Sequence, residues 1–226
     1  MDILEKCYLG KKRGDNGAML TELKVKSFID ALSKENEPPA SGSASALTAL
    51  IGASLLSMVI NTNIKYFSDF NLFVNGKEEI ESIKESFIVL IDKDAKVLEE
   101  ILEELELNQN LNEDAWQEKS RTSFIAAAKV PLEIGQKCFE ALKLAREIAP
   151  YIKKSTISEL IIGVINLQAA IDSVNDIVLT NTSSLKEDYE VADLKQEAVL
   201  LKEIAMEIRE KIEETVRVNK IVEFKR

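Results

Sequence analysis

Apolar residues recur every three or four positions through most of this chain, in six blocks separated by polar or proline-bearing breaks. That spacing fits the 3.6-residue period of a helix, and no stretch alternates with the period of two that a strand requires. The blocks predict helices over residues 23–34, 43–61, 77–107, 114–148, 157–179 and 194–218. The first places Val25, Phe28, Ile29 and Leu32 on one face. The third has a long stripe of Ile80, Ile83, Phe87, Leu90, Leu98, Ile101 and Leu105. The sixth carries a seam of Leu194, Ala198, Leu201, Ala205, Ile208 and Ile212, close to heptad spacing. Pro131 falls inside the fourth, where its missing N–H removes one hydrogen bond and bends the helix. The expected fold class is all-α, a bundle of about six helices forming one domain over residues 19–226. Residues 1–18 have no periodicity and form a leader to which no role is assigned.

The second block departs from the pattern. Residues 38–61 read PPASGSASALTALIGASLLSMVIN. Pro38 and Pro39 end what precedes, a loop of Ala40, Ser41, Gly42 and Ser43 follows, and the helix is then crowded with Ala44, Ala46, Ala49, Gly52, Ala53, Ser54 and Ser57. Glycine costs a helix interior about 1 kcal/mol relative to alanine, so another backbone or a ligand is expected to come very close. Free backbone N–H groups at Ser41, Gly42 and Ser43 could hold an anion or a carbonyl oxygen. Gly163, Asn166, Ala170 and Ser173 make a second small-residue stripe on the fifth helix. These two faces and the seam of the sixth exceed what a single bundle needs to bury, so a symmetric homodimer of helix pairs is expected. The linker 62–76 carries Tyr66, Phe67, Phe70 and Phe73 and reads as a loop pinned by its rings.

Composition narrows the function. At 226 residues and 46% hydrophobic the chain suits one domain with a real core. Its 29 basic against 39 acidic residues give a net charge of −10, which argues against nucleic acid or an anionic membrane as partner. Histidine is absent, which removes the usual general base, the usual zinc ligand and any Ser-His or Cys-His triad. Cys7 and Cys138 are too few for a disulfide framework, and the first residues lack an apolar signal core; both point to a reduced, cytoplasmic setting. Residues 44–60 are long enough to span a membrane, but Ser and Thr punctuate them and the other helices are amphipathic.

Candidate chemistry lies where polar residues interrupt apolar faces. The third-helix stripe steps from 90 to 94 to 98, and residue 94 is aspartate. A carboxylate there loses hydration, its pKa rises, and it can exchange a proton near neutral pH. A structural ion pair, or a cap for another helix, explains it equally well. Asp92 falls off the stripe and is expected to be solvated. Arg121 precedes Phe124, Ile125 and Ala128 on the inward face of the fourth helix, placed to grip a carboxylate from Asp94 or from a ligand, or to snorkel outward. Thr156 and Glu159 have the spacing of a capping box, which accounts for Glu159 without any function.

Several of these segments together resemble the formiminotetrahydrofolate cyclodeaminase and methenyltetrahydrofolate cyclohydrolase family, over roughly residue 19 to the C-terminus. The family's Pro-Gly-Gly-Gly-Ser is here Pro39-Ala40-Ser41-Gly42-Ser43, and Ser54-Leu55-Leu56-Ser57-Met58-Val59 continues the likeness. Asp94-Ala95 matches an acidic residue followed by alanine, and Arg121 stands ahead of Ala126–Ala128 and Val130-Pro131-Leu132. Ser158-Glu159 replaces the family's Ser-Asp, Ile177 replaces the first of two asparagines, and Asn181 keeps the second. The resemblance implies a stand-alone domain acting on one-carbon-substituted tetrahydrofolate. Asp94 would be the acid/base, Arg121 its partner or an electrostatic clamp, and Ser41, Gly42, Ser43, Ser158, Glu159 and Asn181 would contact the ligand. No metal and no cofactor beyond the tetrahydrofolate derivative itself are implied. The departures from the motifs leave an alternative, a diverged non-catalytic helical dimer or folate-binding relative.

Overall fold

The computed structural model describes residues 19–35, 37–66, 71–107 and 113–223, without the side chains of 105, 113–119 and 219–223. Among the described residues, six α-helices carry the fold: α1 (Val25–Leu32), α2 (Ser41–Ile64), α3 (Asn71–Leu107), α4 (Glu113–Ile148), α5 (Ile157–Thr182) and α6 (Tyr189–Glu223). Short 3₁₀ turns at Leu20–Glu22, Ala149–Tyr151 and Lys154–Thr156 complete it, and no strand occurs among the described residues. The all-α expectation is met. The leader 1–18, with Cys7, and Phe67 and Phe70 of the aromatic linker lie outside the described residues.

Helices α2, α3, α4 and α5 close a ring in which each packs on the next and α5 returns to α2; α6 lies against α4 and α5. The α3 stripe turns inward as its period requires, with Ile80, Ile83, Phe87 and Leu90 all buried. The whole α6 seam from Leu194 to Ile212 is buried as well. Each of the Leu, Ile and Phe side chains among them contributes about 1.5–3 kcal/mol of hydrophobic stabilisation. The face expected on α1 is only partly used: Phe28 is buried, whereas Val25 and Ile29 stay exposed. Cys138 is fully buried, and that burial pushes its thiol pKa well up, so it behaves as a small apolar residue.

Helix α2 sits against α3, α4 and α5 without a single charged residue between Ser41 and Ile64. Several of its hydroxyls are engaged: Ser45 donates to the Ser41 carbonyl at 2.7 Å and Thr48 to the Ala44 carbonyl at 2.9 Å within the helix, while Ser57 donates to Glu81 of α3 at 2.6 Å. Polar side chains therefore enter an apolar interface without stranded groups. The expected close backbone is that of α5. A Cβ on Gly52 would lie 2.8 Å from the Gly163 carbonyl oxygen, and one on Gly163 would lie 3.0 Å from that of Gly52. Both α2 and residues 154–182 are long and apolar enough to cross a membrane, with mean hydropathies of 1.8 and 1.5, yet about half of each (56% and 50%) is buried in the bundle.

Several boundaries move. α3 starts at Asn71, six residues before expectation, so the linker is shorter and Phe73 is a buried helix residue rather than a loop ring. α6 starts at Tyr189 because Asp188 caps it, its Oδ1 accepting from the Val191 N–H at 3.0 Å. Ser41–Ser43 form the first turn of α2, not a loop. Asp92 is not simply solvated: its Oδ1 accepts from the Leu20 N–H at 2.7 Å, pinning the start of the described chain onto α3, and its Oδ2 is buried.

Candidate active site at the head of α2

A helix opens with N–H groups that have no intrahelical partner, and α2 supplies no side-chain cap of its own from Ala40. Asp94 on α3 takes that place across 51 residues of sequence. Its Oδ2 accepts from the Ser43 backbone N–H at 2.7 Å and lies 2.9 Å from the Ser43 hydroxyl. Gly42 makes the approach possible, because a Cβ there would sit 1.9 Å from Asp94 Oδ1. Gly42 has an ordinary helical backbone, so glycine is needed here for space alone.

Two opposing influences set the acidity of Asp94. Burial raises the pKa of its carboxyl, while the hydroxyl and then the backbone N–H of Ser43 lower it; burial prevails and the value stands above the ordinary 3.8. The Ser43 hydroxyl also lies 2.9 Å from the Ile91 carbonyl oxygen. One hydroxyl proton thus has two acceptors. With Asp94 ionised, the hydroxyl can donate to it. With Asp94 protonated, the acid can donate to the hydroxyl oxygen while the hydroxyl turns to Ile91. The same heavy-atom positions suit either state, which is what a proton-exchanging group needs.

Asp94 opens onto a cleft walled by Ser41 and Gly42 of α2, Val97, Leu98 and Ile101 of α3, Phe124 and Ala127 of α4, and Ile177 and Asn181 of α5, with Ala40 at its edge. Leu98 and Ile101 continue the stripe of Asp94 at i+4 and i+7, so the apolar wall was present in the sequence pattern. Phe124 was legible as an inward position, but nothing in sequence tied it to the cleft. Ile177 adds apolar surface to this wall. Asn181 donates from Nδ2 to the Ala127 carbonyl at 2.7 Å.

The remaining expected site residues lie elsewhere. Arg121 does not meet Asp94. Its guanidinium pairs with Asp188 and, at 3.1 Å, with Glu190, tying α4 to the start of α6. Those two carboxyls are held below their usual range, Asp188 by the Val191 N–H and then Arg121, Glu190 by Lys129 and then Arg121. Asp188 thus serves both as the α6 cap and as a partner of the arginine. Ser158 and Glu159 start α5, whereas Asn181 ends it; at 1.5 Å per residue they stand about 33 Å apart along the axis. They therefore lie far from the cleft of their own chain. The capping box does not form either. The Thr156 hydroxyl donates to the Lys153 carbonyl and receives Nδ2 of Asn63 at 3.2 Å, and Glu159 Oε2 is buried without a partner among the described residues. The Thr156 hydroxyl joins α2 to the turn before α5 instead of capping α5.

Comparison with known proteins identifies the family and the fold. The sequence model of the family described as formiminotransferase-cyclodeaminase matches residues 24–199. A methenyltetrahydrofolate cyclohydrolase of Methylorubrum extorquens is 28% identical over 200 residues, covering 85% of this chain and 95% of the relative. The crystal structure of a formiminotetrahydrofolate cyclodeaminase from Thermotoga maritima superposes with a TM-score of 0.78 over 88% of this chain and 98% of the other, at 16% identity. That last likeness is one of fold.

Proposed function

Because the chain belongs to the formiminotransferase-cyclodeaminase family, we propose that it hydrolyses the one-carbon bridge of methenyltetrahydrofolate to a formyl group, with Asp94 as general acid and base. One observation carries this reading: a carboxyl of raised pKa lines an open cleft, on hydrogen bonds that suit both of its protonation states. Water adds to the cationic bridging carbon and gives its proton to Asp94. The tetrahedral carbinol then collapses: its hydroxyl proton passes to solvent as the C=O forms, the bond to one folate nitrogen breaks, and Asp94 returns the first proton to that departing nitrogen. The ionised carboxylate also faces the cationic bridge, favouring its binding despite a small apolar site. Closure of a formimino group with loss of ammonia runs through a tetrahedral carbon of the same kind and needs the same two proton transfers, so it is the second reading. The 28% identical cyclohydrolase favours the first.

Purified protein should accelerate the loss of methenyltetrahydrofolate absorbance. Asp94→Asn should slow it by about 10²–10⁴-fold, the usual worth of general acid–base catalysis, while ligand binding weakens with the lost charge but persists. A folded wild type inactive on both methenyl- and formiminotetrahydrofolate, or an Asp94→Asn protein as active as wild type, would reject this assignment.

Assembly belongs to the same proposal. Ile51 and Met58 of α2 and Ile162 and Ile165 of α5 are 41–50% exposed on adjoining outer faces, and α2 brings no charge to them. A second copy of the chain is the proposed cover. A two-fold axis crossing α2 near Ile51 exchanges the levels of Met58 and Ala44. It would bring the second copy's Ser158 and Glu159 toward the level of the first copy's cleft, which reconciles their distance within one chain with the role the resemblance implies. Light scattering at micromolar concentration should give a dimer mass; a monomer mass independent of concentration would exclude this assembly.

A further inference from the structure

An α-helix needs the N–H of each residue to satisfy the carbonyl four residues earlier. Pro131 has none, so within α4 the carbonyl of Ala127 loses its donor. That is the carbonyl to which Asn181 donates, Nδ2 to oxygen at 2.7 Å, from the far end of α5. Both Ala127 and Asn181 line the cleft that holds Asp94. A carbonyl accepts and cannot donate, so the bond fixes which arm of the Asn181 amide is nitrogen and leaves Oδ1 as the free arm. Oδ1 has no hydrogen-bond partner among the described residues and is not sealed in the interior.

We infer that Pro131 is a positioning residue of the cleft: by releasing the Ala127 carbonyl it anchors the Asn181 amide, which then offers Oδ1 as a fixed acceptor to an N–H donor of the ligand. This rests on the proposed folate reading for the ligand, since a reduced pterin presents such N–H groups along one edge. The anchoring itself does not depend on that reading. A rigid acceptor a few side chains from Asp94 orients the ring system without taking part in proton transfer. An Asn free to rotate would offer nitrogen and oxygen indifferently and lose orientation with little loss of chemistry.

Pro131→Ala is the direct test, because it restores an N–H that can recapture the Ala127 carbonyl within α4. Alanine is a good helix former, so the variant should melt no earlier than wild type. Two readouts are taken. The Asn181 side-chain amide protons, followed by NMR, should exchange with solvent faster in Pro131→Ala than in wild type. With methenyltetrahydrofolate, KM should rise about tenfold in Pro131→Ala and in Asn181→Ala with kcat nearly unchanged, and the double variant should be no worse than Asn181→Ala alone. Unchanged amide exchange in Pro131→Ala would overturn the inference, as would KM effects that multiply in the double variant, since Pro131 would then only bend the helix. If wild type turns over no folate, the functional reading fails by itself, and amide exchange alone decides for or against the anchoring.

Discussion

At the C-terminal end of α2, fully buried Asn63 gives Nδ2 to the Val59 carbonyl at 2.8 Å and to the Thr156 hydroxyl at 3.2 Å, and its Oδ1 takes the Lys153 N–H at 2.9 Å. At the N-terminal end, Asp94 takes the Ser43 N–H and faces the Ser43 hydroxyl. Both clusters bring a distant stretch of chain to a terminus of the same helix, and both satisfy backbone groups that α2 or its neighbour leaves open. They differ in what remains. Asn63 is neutral and enclosed, with both arms of its amide occupied. Asp94 is ionisable, is raised in pKa by burial, and borders a cleft. The first arrangement can only hold the fold together, whereas the second holds it and retains a proton to exchange. Burial of a polar group is therefore no guide to function until its unused valences and its access to a cleft are counted.

The comparison is broken most decisively at Gly42. Gly42→Ala puts a Cβ 1.9 Å from Asp94 Oδ1, 2.4 Å from Cγ and 2.7 Å from Oδ2, so the whole carboxylate must leave its seat. Methenyltetrahydrofolate turnover should then fall by about 10²-fold or more, and overpacking should cost about 1–3 kcal/mol. Wild-type turnover in this variant would mean that the seating of Asp94 on α2 is irrelevant to activity.

Asn63→Ala tests the other end. It removes the acceptor of the Lys153 N–H, an expected loss of about 1–3 kcal/mol, read as several degrees in Tm by calorimetry. kcat on methenyltetrahydrofolate should stay unchanged below that melting temperature. A large fall in kcat with normal Tm would place chemistry at the wrong end of α2.

The smallest effect is the pH dependence of stability at Asp94. Folded protein holds this proton more tightly than the unfolded chain, so the raised pKa supports stability fully below the ordinary value of 3.8 and loses that support as pH rises through the folded value. Asn at this position still accepts the Ser43 N–H and carries no charge. Asp94→Asn should therefore match wild type in acid and exceed it toward neutrality, by on the order of 1 kcal/mol for each pH unit by which the carboxyl is raised. An Asp94→Asn protein that loses ground as pH rises would show that capping by a charge outweighs its desolvation.

The six helices, the inward stripe of α3, the seam of α6 and the close approach at Gly52 could be read from spacing and residue size alone. Helical periodicity and backbone volume are local properties, and burial followed them. Asp94 was equally visible as a polar break in an apolar stripe, although its role as a cap for α2 stood only as one of several explanations. Partners were a different matter. Arg121 lies on the inward side by spacing, yet Asp188, which also caps α6, holds its guanidinium. Thr156 and Glu159 have capping-box spacing, yet the Thr156 hydroxyl is engaged by Asn63 and the Lys153 carbonyl instead. Ser158, Glu159 and Asn181 share one helix, and only its antiparallel course beside α2 sends the first two away from the cleft and the last one into it. Periodicity tells a chain which side of a helix is buried. Which of several competing donors and acceptors meets a given group depends on how helices far apart in sequence are laid side by side, and that is decided only when the bundle closes.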